Sequence, residues 1–340
     1  MARTRKPSML DVARGARVSI ATVSRALNEP ALVQAATLER INETTRRLGY
    51  VPNRRARTLA SGRSHTIGVV MPTLNSAIFS LTLKEMQRVL YAEGYQMLVA
   101  SHEYEVSSET AAVAQLLSHG VDGLILVGAT RPEATWRLIE AAQVPLVQLW
   151  CGAPKHDCIS VDNKLAGRLI ATHLLELGHV DFGVLCGHLR NNDRQQARLE
   201  GVREALRARG LELGAAQIVE THLSIGSGRV SCRTLLEVTP RATAIIGLVD
   251  VLAIGAMIEA QTQGIAVPDQ ISVGGVDNVE FAAHVAPSLT TIHIPSAEIG
   301  AHAALRMKAQ LDERGPVEHL TLPIDLVKRR STGPAPGTRK

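Results

Sequence analysis

From Thr66 onward the chain repeats one pattern, and that pattern narrows the fold more than any other feature. Short apolar runs, Ile67–Met71, Gln96–Ala100, Gly123–Val127, Pro145–Leu149, Phe182–Cys186, Ala244–Leu248 and Ile271–Gly275, read as buried parallel strands. Between them lie stretches of helical period, among them Lys84–Glu93, Thr110–His119, Leu165–Leu177, Gln195–Arg209 and Val251–Gln263. These five stop at Gly94, Gly120, Gly178, Gly210 and Gly264, and glycine best accepts the left-handed conformation that ends a helix. Such alternation builds βαβ units and a doubly wound parallel sheet. Ten or more strands in about 270 residues crowd a single open sheet, so two similar α/β subdomains facing across a cleft are expected. Aromatics make up only 3% of the chain, and Ala, Leu, Ile and Val supply most of the apolar content, as suits helices packed on parallel strands.

Several classes of function find no support. No run of about 18 apolar residues is present, so no membrane span is expected. Met1–Lys6 is basic, but Pro7-Ser8-Met9-Leu10-Asp11 follows in place of an apolar segment, so no secretory signal is expected. Cys151, Cys158, Cys186 and Cys232 have no C-x-x-C spacing and suggest reduced thiols in a cytoplasmic protein. No P-loop or G-x-S-x-G elbow occurs, and Gly226-Ser227-Gly228 lacks the third glycine of a dinucleotide loop. Cys151, His156 and Cys158 have the wrong spacing for a zinc set. The expectation is therefore a non-enzyme without cofactor or metal.

The first 63 residues hold thirteen Lys/Arg against four acids, a charge of +9, while the other 277 sum to −4 and the whole chain to +5. A small basic domain thus precedes a large, slightly acidic one, which points to a polyanionic partner. Within it Met9–Ala16 reads as a helix, Arg17-Val18-Ser19 as a turn and Ile20–Leu27 as a second helix capped by Ser19, with a third over Ala36–Leu48. Leu10, Val12, Ala13, Val18, Val23 and Leu27 supply a miniature core. This is helix–turn–helix spacing, in which the second helix enters the major groove, although other small helical hairpins share it.

The words within that spacing are more specific. Leu10-Asp11-Val12-Ala13, Val18-Ser19, Thr22-Val23-Ser24-Arg25-Ala26-Leu27-Asn28 and Leu48-Gly49-Tyr50-Val51-Pro52-Asn53 closely resemble the lactose-repressor/galactose-repressor family of bacterial transcription regulators. Val121-Asp122-Gly123-Leu124-Ile125, Ser160-Val161-Asp162-Asn163, the stretch from Ile271 to Asn278 and Pro287–Ile292 extend the resemblance over nearly the whole chain. It implies that Ile20, Ala21 and Arg25 face base edges: Arg25 suits a bidentate contact to guanine, and the other two offer apolar contact to thymine methyls. Ser19, Thr22, Ser24 and Asn28 would bond phosphate or cap helices, and for Thr22 and Ser24 plain helix solubility is the simpler alternative. Arg17 departs from the family, which usually has glycine in this turn; either the turn tolerates it or Arg17 adds a phosphate contact.

The resemblance makes residues 52–64 a hinge. Asn53, Arg54 and Arg57 would approach DNA, and Leu59 matches the leucine that wedges into the minor groove from a short helix paired with its dimer mate. An ordinary basic linker is the alternative. The expected organisation is α/β: a small all-α helix-turn-helix DNA-binding domain (1–51), the hinge (52–64) and a two-subdomain, doubly wound, periplasmic-binding-protein-like core (65–330). Subdomain one is 65–161 plus 294–322, subdomain two is 162–293 plus 323–330, and residues 331–340, rich in Pro and Gly, read as a flexible tail.

Ligands of such a core bind where strand C-termini face each other. The cleft candidates are Leu74, Asn75, Phe79, Ser101, Gly128, Ala129 and Trp150 from the first subdomain, and His188, Arg190, Arg194, Arg198, Leu223, Val249 and Asp277 from the second. Arg198 stands three before Gly201 in the R-x-x-G pattern where the family places its effector-binding arginine, and Asp277 where it places a sugar-hydroxyl acceptor. Val249 departs from the Asn common before Asp250. Arg194 and Arg198 lie four apart, near His188 and Arg190, and arginine fits a carboxylate bidentately. The expectation is a homodimeric repressor of sugar or sugar-acid genes, cytoplasmic and nucleoid-associated when bound to double-stranded operator DNA. A gluconate- or ketogluconate-type effector would release it, although family members of the opposite sign exist. A cytoplasmic sugar-binding protein or a sugar-modifying enzyme with a basic arm is the alternative.

Overall fold

The computed structural model describes residues 6–51, 62–150, 155–237, 242–313 and 315–337, the side chains of Asn28, Val106 and Glu313 excepted. The chain forms two compact units, Met1–Ser64 and His65–Lys340.

In the front unit α1 (Met9–Ala16) opens on a capping box: Asp11 N–H donates to Ser8 Oγ, and Ser8 N–H donates to the Asp11 carboxylate at 2.8 Å. It ends on Arg17 in the left-handed region, φ 55° and ψ 48°. Helix α2 (Ile20–Asn28) starts at Ser19, whose Oγ accepts from Thr22 N–H at 3.0 Å, and α3 (Ala35–Leu48) stops at Gly49. Val12, Ala13, Ala16, Val23, Ala26, Ile41 and Tyr50 form the buried core. Leu10, expected in that core, is 38% exposed, because it lies on the outer face of α1. Gly15 lets α1 press on α3, since a Cβ there would stand 2.6 Å from Thr44 Cγ2.

The large unit contains two six-stranded sheets. The first comprises β1 (Thr66–Met71), β2 (Gln96–Ser101), β3 (Gly123–Val127), β4 (Leu146–Leu149), β5 (Asp157–Val161) and β11 (His319–Leu322). Its order is β11-β5-β4-β3-β1-β2, all parallel. The second comprises β6 (Phe182–Gly187), β7 (Ile218–Thr221), β8 (Ala244–Gly247), β9 (Ser272–Asp277), β10 (Thr290–His293) and β12 (Asp325–Val327). Its order is β12-β10-β9-β8-β6-β7, with only β12 antiparallel. The chain therefore crosses between sheets after β5, after β10 and after β11. Helices α4 (Ala77–Ala92), α5 (Val106–Ser118), α6 (Glu133–Ala142), α7 (Asn163–Glu176), α8 (Asp193–Arg207), α9 (Ile225–Leu236), α10 (Asp250–Thr262) and α11 (Ser296–Glu313) complete the alternation. Ile67, Val69, Ile125, Val147 and Ile159 of the first sheet share the largest buried cluster with Met86, Leu90, Ile299 and Met307.

Each of the seven apolar runs lies on a strand, and the glycines at 94, 120, 178, 210 and 264 all have positive φ. Helix α4 begins seven residues before the expected Lys84, because its first two turns are so apolar that periodicity cannot separate helix from strand there. The tail differs from expectation. Ser331 Oγ donates to Val273 O, Gly333 N–H donates to Ser272 Oγ at 3.0 Å, and Ala335 N–H donates to Leu177 O at 2.9 Å. Residues 331–335 are pinned between β9 and the end of α7 because their polar groups find partners there, and the intervening Pro334 has no N–H to satisfy.

Candidate functional site

Two surfaces carry chemistry, one on each unit. On the front unit Ser19, Ile20, Ala21 and Arg25 are exposed, with Ile20 at 47%, and Thr22 and Ser24 are half-buried. Ser19 Oγ also lies 2.8 Å from Thr22 Oγ1, so both hydroxyls belong to the start of α2. An exposed isoleucine thus opens the helix, five residues before the exposed Arg25. Asn53, Arg54, Arg57 and Leu59, and the side chain of Asn28, lie outside what the structure describes.

In the large unit a cavity of about 360 Å³ opens at the C-terminal ends of the parallel strands. Asn75, Phe79, Trp150, Arg194, Arg198, Leu223, Val249 and Asp277 all line it. Phe79 and Trp150 meet edge to face at 5.2 Å and form its apolar floor, and the buried Trp150 Nε1 has no partner among the described residues. Six expected residues lie off the cavity lining. Leu74 is 48% exposed on the β1–α4 loop, and Ser101 ends β2 off the cavity. His188 and Arg190 line a second, larger cavity of about 810 Å³, because the loop after β6 turns outward before α8 begins. Gly128 and Ala129 act through backbone: Ala129 N–H donates to Asp193 Oδ2 at 2.8 Å, and a Cβ on Gly128 would strike Arg194 Nη1 at 2.6 Å.

Arg198 is the buried centre of the cleft. Its Nε donates to Asn163 Oδ1 at 2.9 Å, and its Nη1 donates to Leu248 O at 2.7 Å and to Asp277 Oδ1 at 3.1 Å. Interlocked glycines place it there. A Cβ on Gly167 would stand 1.8 Å from Arg198 O, and one on Gly201 1.9 Å from Lys164 O, so α7 and α8 touch backbone to backbone. Burial pushes the Asp277 carboxyl up to about 6 although the Arg198 guanidinium opposes the shift. Asp250, next to it, is pushed up by burial and by the Asp277 charge; it accepts from Thr291 Oγ1 and from Val279 N–H, tying the turn after β9 to β10.

Sequence reasoning missed Tyr104, Asn192, Gln195, His222 and Val279, which also line the cavity. Asn192 caps α8 by accepting from Gln195 N–H, and Gln195 Oε1 accepts from Gly187 N–H at 3.0 Å, a cap signal readable beforehand. Burial raises the Tyr104 phenol against the pull of Arg194, and lowers His102 to about 4 with help from Arg194 and Arg131. Among the described residues no cluster of three or more His, Cys, Asp or Glu side chains could hold a metal ion, and no helix is long and apolar enough to cross a membrane.

Residues 8–53 match the family described as bacterial regulatory proteins, lacI family, and residues 171–332 match the periplasmic binding protein-like domain. The chain is 30% identical to the HTH-type transcriptional regulator DegA of Bacillus subtilis, covering 97% of this chain and 99% of that protein. The chain belongs to the lacI family. The HTH-type transcriptional regulator GntR of Pseudomonas aeruginosa is 31% identical, over 97% of this chain and 96% of that one. Among solved structures, the lac repressor dimer bound to operator and an anti-inducer superimposes with a TM-score of 0.85 at 28% identity, over 97% of this chain and 100% of that one. This lacI-family chain is accordingly a ligand-controlled, DNA-binding transcriptional regulator and not an enzyme.

Proposed function

We propose that this regulator represses genes of sugar-acid metabolism, works in the cytoplasm on the nucleoid, and is released from its operator by a gluconate- or ketogluconate-type effector. The observation that carries this reading is the pair Arg194 and Arg198, one turn apart on α8 and both lining the 360 Å³ cleft. Arginine recognises carboxylate by paired donors, while the Phe79–Trp150 floor suits the apolar face of a sugar carbon chain. Asp277 borders the Arg198 guanidinium within the same cleft and provides an acceptor for a hydroxyl. At the DNA, Ile20, Ala21 and Arg25 read bases, Ser19 and Thr22 cap the reading helix, Ser24 and Asn28 hold phosphate, and Asn53, Arg54, Arg57 and Leu59 act from the 52–64 hinge. Effector closes the cleft in a pose that does not support paired hinges, so operator affinity falls by linkage.

A neutral sugar is the second reading, because each arginine has a carboxylate beside it: Asp277 at 3.1 Å from Arg198 and Asp193 at 3.0 Å from Arg194. Titration calorimetry on the full-length protein with gluconate, 2-ketogluconate and glucose decides between them. Heat from the acids, with release of operator in a mobility-shift assay, is the expected result. Tight binding of glucose with no heat from either acid refutes the sugar-acid reading.

A further inference from the structure

The inner cleft and the 810 Å³ outer cavity meet at one wall. Glu103, Tyr104, Asn192, His222 and Leu223 line both. Three of the five residues of that wall are conventional: Asn192 is a helix cap, and His222 and Leu223 follow β7. Tyr104 differs. Glu103 and Tyr104 are the wall's whole contribution from the first subdomain, and both stand in left-handed backbone, φ 46° and 63°, where side-chain-bearing residues rarely go. Such outliers persist where surrounding contacts over-determine them, and they cluster at ligand clamps. Here the contacts are visible. The Tyr104 ring meets His102 edge on at 6.2 Å, and Tyr104 lines the cleft together with Arg194 from the opposite subdomain. The strained turn therefore places one aromatic side chain in the wall between the two cavities.

We infer that Tyr104 is a length gate: its ring ends the effector cleft, confines the effector to a single sugar unit, and keeps the outer cavity from receiving a second one. The inference rests on the cleft being the effector site, as proposed above. A volume of about 360 Å³ is at the small end for ligand pockets, which run from roughly 300 to 1,000 Å³. Beyond the gate, His188, Arg190, Glu220 and His222 give the outer cavity the polar lining that a second polyhydroxylated unit needs. What excludes that unit is the ring at 104 and not the chemistry beyond it.

The test uses calorimetry on the full-length protein with two ligand pairs. One is gluconate and lactobionate, which is gluconate carrying a second sugar; the other is glucose and cellobiose. In the wild type the one-unit member of the binding pair is favoured by at least about tenfold. Tyr104→Phe keeps the ring and keeps that ratio. Tyr104→Gly removes the ring at a position whose backbone suits glycine, so its melting temperature should not fall, and the ratio should drop to within about threefold of unity. If Tyr104→Gly does not fold, Tyr104→Ser serves in its place. An unchanged ratio in the ringless variant, or a wild type that takes the two-unit ligand equally well, overturns the gate. Failure of the sugar-acid reading looks different: the neutral pair binds, the acid pair does not, and the gate is read on the neutral pair. If the wild type binds none of the four, both inferences fall.

Discussion

The two working surfaces of this chain treat charge in opposite ways. The front unit gathers +9 in 63 residues, and the arginines described there, among them Arg14, Arg17, Arg25, Arg40, Arg46 and Arg47, are exposed. The cleft buries Arg198 and sets it against Asn163, Leu248 O and Asp277. Exposed charge acts at long range and is screened by salt, whereas buried, paired charge acts over one contact and is screened little. The first arrangement suits a polymer of phosphates, the second a single small molecule whose polar groups must be met one by one.

That contrast sets the largest expected effect. If the front unit works through its charge, operator affinity must collapse with salt: a dimer making about six to ten phosphate contacts loses roughly 10³ to 10⁵ between 50 and 200 mM. Effector affinity over the same range should change by less than about tenfold, because the cleft charges are buried. Fluorescence anisotropy with operator, beside calorimetry with effector in matched buffers, reads both. Equal slopes would mean that the cleft guanidinium groups are solvated like those of the front unit.

The next effect sharpens the buried side. Arg198→Leu leaves Asp277 buried without its cation, and breaking a buried pair from one side costs about 3–5 kcal/mol. Urea unfolding of the full-length protein should show the core transition move to lower denaturant by that amount. Adding Asp277→Asn removes the stranded charge and should restore a large part of the loss, a coupling that independent sites do not show. Arg25→Leu on the front face should leave stability within about 0.5 kcal/mol, since an exposed arginine loses no buried partner.

The same contrast explains what could be read from the chain in advance. The front unit's features are contiguous: Ser19, Ile20, Thr22 and Arg25 lie within one helix and its cap, so local spacing suffices. The cleft is assembled by topology. Asn163, Arg198, Leu248 and Asp277 are spread over more than a hundred residues, and the strand-and-loop pattern brought their loops to the same end of the sheets. What it did not show is which way a loop turns. His188 and Arg190 sit in sequence beside α8 yet face the outer cavity. Tyr104 enters the cleft through two left-handed residues with no glycine to announce them. The tail at 331–335 was masked by its Pro and Gly content, because composition reports the chain's own preferences and not the partners that β9 offers it.

Arg17 tests whether the exposed side also spends conformational energy on function. Its φ of 55° ends α1, with its N–H on the Ala13 and Arg14 carbonyls, in a conformation that costs a residue other than glycine on the order of 1 kcal/mol. Arg17→Gly should therefore stabilise the front unit by up to about 1 kcal/mol, less glycine's greater freedom in the unfolded chain, read as a rise in that unit's melting temperature. The second readout is the salt slope of operator binding. If Arg17 touches phosphate, each protomer loses one contact and the slope becomes shallower by about 0.9 per contact. A gain in stability with an unchanged slope would show a turn that merely tolerates arginine. A gain in stability with a shallower slope would show backbone strain held in place for the sake of one more charge at the DNA, the exposed counterpart of the strained turn at Tyr104.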